Sequence, residues 1–264
     1  MIDLAREVAR VRHPIFAISA CAWGALAVAP ATHLHSLAVC GGAASAVGSL
    51  STSLTMNSLS AFAAGWALML LAMMSPLVVP EIHHVRFTSL ARRRARSIAL
   101  FAAGYGGVWM ACGAVLTGTG LVAQALAPGS YIPATVAGLL ACVWQVSPYK
   151  QWCLNKCHDN RPLRVFGAEA DLDAFRFGWT RGVWCAASCS AAMLISMLLP
   201  EGRLAAMAAV MILAYCERLE DPEPPRWKLR GLGKAWRMMA ARLRIRWRML
   251  RRADEVNRVF GISR

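Results

Sequence analysis

Long apolar segments, separated by short polar ones, fill the first 220 residues of the chain. A helix that crosses a membrane needs about 20 mostly apolar residues, and it must satisfy its own backbone hydrogen bonds. The pattern therefore predicts an all-α, polytopic membrane helix bundle with about six transmembrane helices. The predicted spans are residues 14–30, 59–80, 97–124, 132–149, 180–199 and 203–218.

Two further features of this region affect the count. The apolar segment 37–48 is short and Gly-rich, so it is predicted to be a re-entrant or interfacial piece rather than a seventh span. The first apolar segment follows a basic stretch, but no small-residue cleavage site ends it. It is therefore interpreted as a membrane helix and not as a cleaved signal peptide.

A different pattern begins after the transmembrane domain, residues 1–220. The sequence DPEPP at 221–225 cannot continue a helix and is predicted to be a short stiff linker. In the tail, residues 226–264, apolar residues recur at steps of three or four with Arg on the other faces, which predicts a basic amphipathic helix on anionic inner-leaflet lipids. These apolar positions are Leu232, Trp236, Met239, Leu243, Trp247 and Leu250. A nucleic acid partner is not expected, because this Trp-rich apolar face follows directly from a membrane helix.

The distribution of charge gives an orientation. The loops 81–96 and 150–181 contain five and six Lys or Arg residues, whereas the loops 31–58 and 125–131 contain none. The tail beyond residue 217 holds 14 of the 29 basic residues. Because Lys and Arg concentrate in cytoplasmic loops, the alternation predicts a multi-pass protein with N- and C-termini in the cytoplasm. Only 16% of residues are charged, 57% are hydrophobic and the mean hydropathy is +0.44, as expected for this class.

Two cysteine pairs lie at the predicted cytoplasmic face. Cys153 and Cys157 follow the fourth span, and Cys185 and Cys189 begin the fifth. Each pair has i, i+4 spacing, which places both sulfurs on one face of a helix. Thiolates bind Cu(I), Zn(II) or iron–sulfur clusters, so the two pairs predict one soft-metal site. The alternative is that these cysteines only pack, as buried cysteines commonly do.

Methionines and a histidine accompany these cysteines. The second span contains Met73 and Met74, and Pro76, Pro80 and His83 follow. The two prolines are expected to kink or open the helix and to free backbone carbonyls. Thioethers beside thiolates favour Cu(I) over Zn(II), although methionine more commonly fills gaps between packed helices.

Two acidic residues lie near the same face, Glu81 and Glu217. Glu217 is a candidate ligand or proton acceptor close to the metal, and ion pairing with Arg218 is the alternative. No hydrolase nucleophile elbow, P-loop, dinucleotide-binding fingerprint or His-Glu-x-x-His motif occurs, so no catalytic residue is predicted.

These motifs resemble those of a bacterial family of predicted metal-binding integral membrane proteins, a domain of unknown function with some members labelled putative copper chaperones. The resemblance covers about residues 60–220, and its most specific part is WQVSPYKQWCLNKC, residues 144–157. The other matching residues are Trp66, Met73, Met74, Pro76, Gly104, Tyr105, Trp109, Cys185, Cys189 and Glu217. The family's usual Cys-x-x-Cys-Cys-Trp motif is incomplete here, since Ser188 and Ser190 replace one cysteine and the tryptophan.

The resemblance implies a bacterial inner-membrane protein that handles a metal, with Cu(I) as the expected ion and Zn(II) as the less suited one. The expected ligands are Cys153, Cys157, Cys185 and Cys189, with Met73, Met74 and His83 as further candidates and Glu217 beside them. The expected role is delivery or insertion of copper for a partner cuproenzyme. The alternatives are a thiol-redox membrane protein that uses the same cysteine pairs and a non-catalytic accessory subunit of a larger membrane complex.

Overall fold

The computed structural model describes residues 2–28, 56–127, 130–199, 201–231 and 233–259, and these residues form helices and connecting loops without a strand. The helices are α1 (Ile2–Val28), α2 (Met56–Met74), α3 (Val79–Thr88), α4 (Arg94–Leu126), α5 (Ile132–Val146), α6 (Pro148–Lys156), α7 (Gly167–Leu198), α8 (Arg203–Leu219) and α9 (Gly233–Val259). The all-α prediction is confirmed. The segment 37–48 lies outside the described residues.

Four continuous helical stretches in the described part of the chain are long and apolar enough to cross a membrane. They are Glu7–Val28, Ala63–Thr88, Ala91–Ala123 and Gly167–Leu198. The count becomes five if α5 and α6, which meet at an angle of 66°, form one broken span. The predicted number of six is therefore not confirmed, because α8 has only 17 residues and is not among these stretches.

The bend between α5 and α6 arises from Ser147 and Pro148. Ser147 has extended backbone angles, which end α5, and Pro148 occupies the first position of α6, where a missing N–H does no harm. The Ser147 hydroxyl then accepts a hydrogen bond from the backbone N–H of Lys150 and caps the new helix. The apolar run of the predicted fourth span therefore ends at this turn. Cys153 lies on the separate short helix that follows, and Cys157 lies at the end of that helix.

The predicted break near Pro76 and Pro80 is confirmed. A 3-10 turn at Ser75–Val78 separates α2 from α3. Pro76 has no N–H, so the carbonyl of Ala72 lacks its usual helical donor. The hydroxyl of Ser19 on α1 supplies a donor, with an Oγ–O distance of 2.7 Å. A neighbouring helix therefore satisfies a carbonyl that the proline frees, as apolar surroundings require.

Helices α4 and α7 pack closely along much of their length, because glycines lie at their contact. A Cβ atom at Gly178 of α7 would collide with the backbone carbonyl of Phe101, and one at Gly104 of α4 would collide with that of Phe175. Small residues let two helix backbones approach in this way in membrane proteins. The interface fixes α7, which carries Cys185 and Cys189, against α4, which carries Tyr105.

The segment 221–231, called the strap below, lies against α6. The Gln151 side chain donates to the carbonyl of Lys228 and accepts from the N–H of Arg226, at 2.7 and 3.0 Å. Asn155 donates to the carbonyl of Glu223, and its side-chain oxygen accepts from Arg230, which is buried. The sequence predicts a linker at 221–225; in the structure this stretch is the first half of a segment that side chains of α6 hold in place.

Candidate functional site

Cys185 and Cys189 lie one turn apart on α7, with their thiol groups in contact. Their exposed fractions are 0% and 4%. Tyr105 of α4 donates a hydrogen bond from its hydroxyl to the Cys185 sulfur at 3.2 Å. The Ser188 hydroxyl lies 3.5 Å from the Cys189 sulfur. The i, i+4 spacing has therefore placed two sulfurs side by side in a closed, water-poor position.

Methionine side chains share the buried core with this cysteine pair. The core brings together residues of α2, α4, α7 and α8, and Trp66 donates a hydrogen bond across it to the carbonyl of Trp109 at 2.9 Å. Its methionines, all 3% exposed or less, are Met69, Met73, Met74, Met193 and Met207. The predicted candidates Met73 and Met74 thus lie in the same core as Cys185 and Cys189, and Met193 extends the cysteine face of α7 by one turn.

The second pair, Cys153 and Cys157, lies at the end of α6. Both residues are buried, and the N–H of Cys157 bonds to the carbonyl of Cys153 at 3.1 Å. Burial raises the pKa of the Cys157 thiol to about 12, while the positive charge of Arg218 acts against this rise. The free thiol is therefore protonated at neutral pH. A charge on Cys185 would act on Cys157, so the two pairs lie within electrostatic range of each other.

The structure does not join the two pairs into one cluster. Among the described residues, no group of three or more His, Cys, Asp or Glu side chains has the geometry to hold a metal ion. The ring of His83 stacks on Phe87, with centroids 5.9 Å apart, and belongs to no such group. The four-cysteine ligand set with His83 thus stays a prediction, and the arrangement present is a cysteine pair surrounded by methionines.

Glu217 takes part in a buried ion pair. Its Oε1 lies 2.6 Å from the Nζ of Lys150, and the two residues are 1% and 2% exposed. Gln145 completes the group, because its side-chain oxygen accepts from Lys150 while its amide donates to Glu217. Glu217 therefore has Lys150 and Gln145 as its partners, while Arg218, the partner that the sequence offered as an alternative, bonds elsewhere.

A second buried ion pair joins Arg218 of α8 to Glu81 of α3, with an Nη1–Oε1 distance of 2.7 Å. The charge of Arg218 acts on both Cys157 and Cys185, so its guanidinium lies close to both cysteine pairs. Sequence reasoning noticed Glu81 but not this role of Arg218. The sequence does offer one indication of this role, an arginine at the end of the last apolar helix. Ionisable residues at such positions are commonly functional.

The comparison with protein families gives a result that bears on these features. The model of the PpoB2 family, described as copper chaperones, matches residues 63–241, about two thirds of the chain. The chain belongs to this family. The matched part includes both cysteine pairs, the methionine core, the two buried ion pairs and the strap. The resemblance read from the sequence is confirmed. Neither the comparison with curated proteins nor that with solved structures found a match.

Proposed function

We propose that this member of the copper chaperone family is a multi-pass membrane protein that binds Cu(I) and passes it to a partner protein. The observation that carries the proposal is the contact between Cys185 and Cys189 inside a methionine-rich core. Thiolate and thioether sulfur are the donors that Cu(I) prefers, and a harder ion has little to bind there. Cys185 and Cys189 are the primary ligands, and Met73, Met74 and Met193, which share the buried core with them, are the thioether candidates.

The exposed surface supports membrane integration. Large apolar side chains point outward from α4 and α5, where no other described helix covers them. Examples are Val115, Leu139 and Leu140, each about two thirds exposed. Single exposed apolar residues are ordinary in soluble proteins, but rows of them along helices of spanning length are typical of a lipid-facing surface. The distribution of basic loops supports an orientation with the N- and C-termini in the cytoplasm of a bacterial inner membrane.

An arginine lies close to the cysteine pair, where a Cu(I) complex would carry negative charge. Cu(I) bound to two thiolates carries one net negative charge, which is costly in an apolar interior unless a cation lies nearby. Arg218 lies close to Cys185 and shares its positive charge between the cysteine pair and Glu81. Structural Zn(II) prefers four ligands in a tetrahedron, and the described residues offer no group of three or more His, Cys, Asp or Glu ligands.

Cys153 and Cys157 are the second stage of the pathway in this proposal. Cys157 lies within electrostatic range of Cys185 at the end of α6, next to the strap. Cu(I) moves between the two pairs by exchange of thiolate ligands, with no change of oxidation state, and each incoming thiol loses a proton as each outgoing thiolate takes one up. Release towards a partner cuproenzyme then takes place at the end of the bundle that holds the strap and α9. The exposed Trp236, Met239 and Trp247 of α9 rest on anionic inner-leaflet lipids.

The test is copper content after anaerobic loading with Cu(I) and removal of excess ion, measured by mass spectrometry. Wild type should retain stoichiometric copper and Cys185→Ser/Cys189→Ser should lose it. The matched control is Cys21→Ser/Cys142→Ser, because these two free cysteines are exposed and stand alone; it should retain copper. Equal retention by all three proteins would refute the assignment.

The thiol-redox alternative rests on the same contact between Cys185 and Cys189. It requires a disulfide between these two residues that forms and breaks during function. Thiol alkylation of protein taken from aerobically grown cells distinguishes the two. Copper binding predicts that both cysteines are alkylated only after copper is removed, whereas the redox function predicts that alkylation requires a reductant.

A further inference from the structure

A cavity of about 470 Å³ lies between the loop that follows α6 and the first half of α7, separate from the cysteine pair on α7. Basic side chains dominate its lining. Lys156, Arg161, Arg164, Arg176 and Arg181 all contribute, together with two acids, Asp159 and Asp173. Five cationic residues against two acidic ones give the cavity a clear excess of positive charge.

The four arginines of the lining differ in how far other groups already neutralise their positive charge. Arg164 forms ion pairs with Glu169 and Asp173, so two carboxylates neutralise it. Arg181 is 2% exposed, and its guanidinium donates to the carbonyls of Lys156 and Asp159 and to Asn160. Neutral carbonyl oxygens satisfy its donors, while the carboxylates of Glu81 and Asp159 act on its positive charge from beyond ion-pair distance.

Arg161 and Arg176 have no ion pair among the described residues. Both are exposed and line the cavity, Arg161 from the loop and Arg176 from α7. An arginine guanidinium presents paired N–H donors that match the oxygens of a phosphate group. Two guanidinium groups without an ion pair in the lining of one cavity, together with the fixed charge of Arg181, therefore make a receptor for a phosphate anion.

The position of the cavity indicates where that phosphate comes from. On α7, the last charged residue of the helix is Arg181, and an apolar run follows from Gly182 onward. Aromatic residues surround this boundary: Trp184 and Phe177 line the cavity, and Trp152 of α6 packs edge-on against Trp184 with centroids 4.8 Å apart. Tryptophan is enriched at the depth of the lipid headgroups. A soluble anion would find the arginines here, but only a lipid would also use the adjoining aromatic surface.

We propose that this cavity binds the phosphate group of an anionic membrane phospholipid. Arg161 and Arg176 hold the phosphate, Arg181 adds fixed positive charge behind it, and the acyl chains pass over Trp184 and the exposed Trp152. The lipid joins the α6–α7 loop to α7, and so anchors the helix that carries Cys153 and Cys157. This site is distinct from the contact of α9 with the membrane surface, and it does not depend on copper binding.

The experiment measures lipid binding by native mass spectrometry of the full-length protein in detergent, with dioctanoyl phosphatidylglycerol or dioctanoyl phosphatidylcholine added. Wild type should bind the first phosphatidylglycerol molecule more tightly than phosphatidylcholine. Arg161→Gln/Arg176→Gln should weaken this first binding event about thirtyfold, since two basic contacts are lost. Arg161→Lys/Arg176→Lys should restore only part of the affinity, because it keeps both charges but loses the paired N–H donors of arginine.

The matched control is Arg242→Gln/Arg246→Gln, which removes two exposed charges from α9 and leaves the cavity intact. It should bind the first phosphatidylglycerol as wild type does. The proposal is overturned if the cavity variant binds phosphatidylglycerol like wild type, or if the α9 control loses as much affinity as the cavity variant. The choice of a lipid is overturned if inorganic phosphate or glycerol phosphate binds wild type as tightly as the lipid. Melting temperatures in lipid-free detergent, which should agree between variants and wild type, exclude loss of the fold as the cause.

Discussion

Lys150 and Glu217 form an ion pair with an Nζ–Oε1 distance of 2.6 Å, although both residues are almost completely buried and lie 67 positions apart in the sequence. Lys150 lies in the first turn of α6, and Glu217 lies in the last turn of α8. The pair therefore fixes the short helix that bears Cys153 and Cys157 to the end of α8. Gln145 satisfies further donor and acceptor positions of both groups, which limits the cost of burying the charges.

Removal of one partner of this pair should destabilise the protein strongly. Glu217→Gln leaves the Lys150 ammonium buried without a counter-charge, and loss of one partner of a buried pair costs about 3–5 kcal/mol. Lys150→Met should have a similar effect. The double variant Lys150→Met/Glu217→Met should recover much of the loss because no uncompensated charge remains. Thermal unfolding in detergent measures all three, and additive losses in the double variant would contradict this account.

The strap depends on a glycine at residue 231. Gly231 has φ of 121°, and a Cβ atom there would lie 2.7 Å from Cγ of Glu217. Gly231→Ala should therefore displace the strap from α6 and expose residues 221–231 to protease. Gly202→Ala is the control, because Gly202 also has positive φ but has open space around it. Limited proteolysis should show faster cleavage in the first variant only; equal cleavage rates would show that contact with Glu217 is unimportant.

Close packing of α4 on α7 should be sensitive to a single methyl group. Gly178→Ala forces a Cβ against the backbone of Phe101, which cannot move as a flexible side chain does. Overpacking of this kind costs roughly 1–3 kcal/mol. Gly138→Ala on α5 meets no atom within 4 Å and should leave the melting temperature unchanged or slightly higher. A Gly178→Ala protein as stable as wild type would show that the two helices can separate freely.

Arg218 should matter for copper as well as for folding. Arg218→Gln leaves Glu81 without its ion-pair partner and removes the cation near Cys185. Adding Glu81→Gln removes the unpaired carboxylate, so the double variant should regain stability. Copper affinity should remain weakened in the double variant, since its bis-thiolate complex lacks a counter-ion. Competition with a Cu(I) chelator measures this, and wild-type affinity in the double variant would contradict a charge-balancing role.

Periodicity and proline chemistry predict much of the fold. Apolar runs located the main helices, Pro76 and Pro80 marked the break between α2 and α3, and Pro148 explains the bend that divides α5 from α6. The predicted number of six spans is not confirmed, because α8, with 17 residues, is not among the four or five described stretches long and apolar enough to cross a membrane. The strap was not foreseen either: it depends on Gln151 and Asn155, whose amides bond to backbone groups some 70 positions away.

The candidate site, like the fold, could be predicted only in part from local sequence patterns. The spacing of Cys185 and Cys189 follows from helix geometry alone, so their contact could be inferred locally. The ion-pair partners of the buried charged residues could not be inferred in this way. Arg218 bonds to Glu81, which lies 137 positions earlier, while the adjacent Glu217 bonds to Lys150. Which charges meet depends on how α3, α6 and α8 pack, and no local pattern encodes that packing.

The most direct test of the copper assignment is X-ray absorption spectroscopy at the copper edge of the Cu(I)-loaded protein. The account predicts Cu(I) with sulfur neighbours only, and loss of this signal in Cys185→Ser/Cys189→Ser but not in Cys21→Ser/Cys142→Ser. Copper bound mainly by nitrogen or oxygen, or a sulfur signal unchanged in the Cys185→Ser/Cys189→Ser protein, would contradict it.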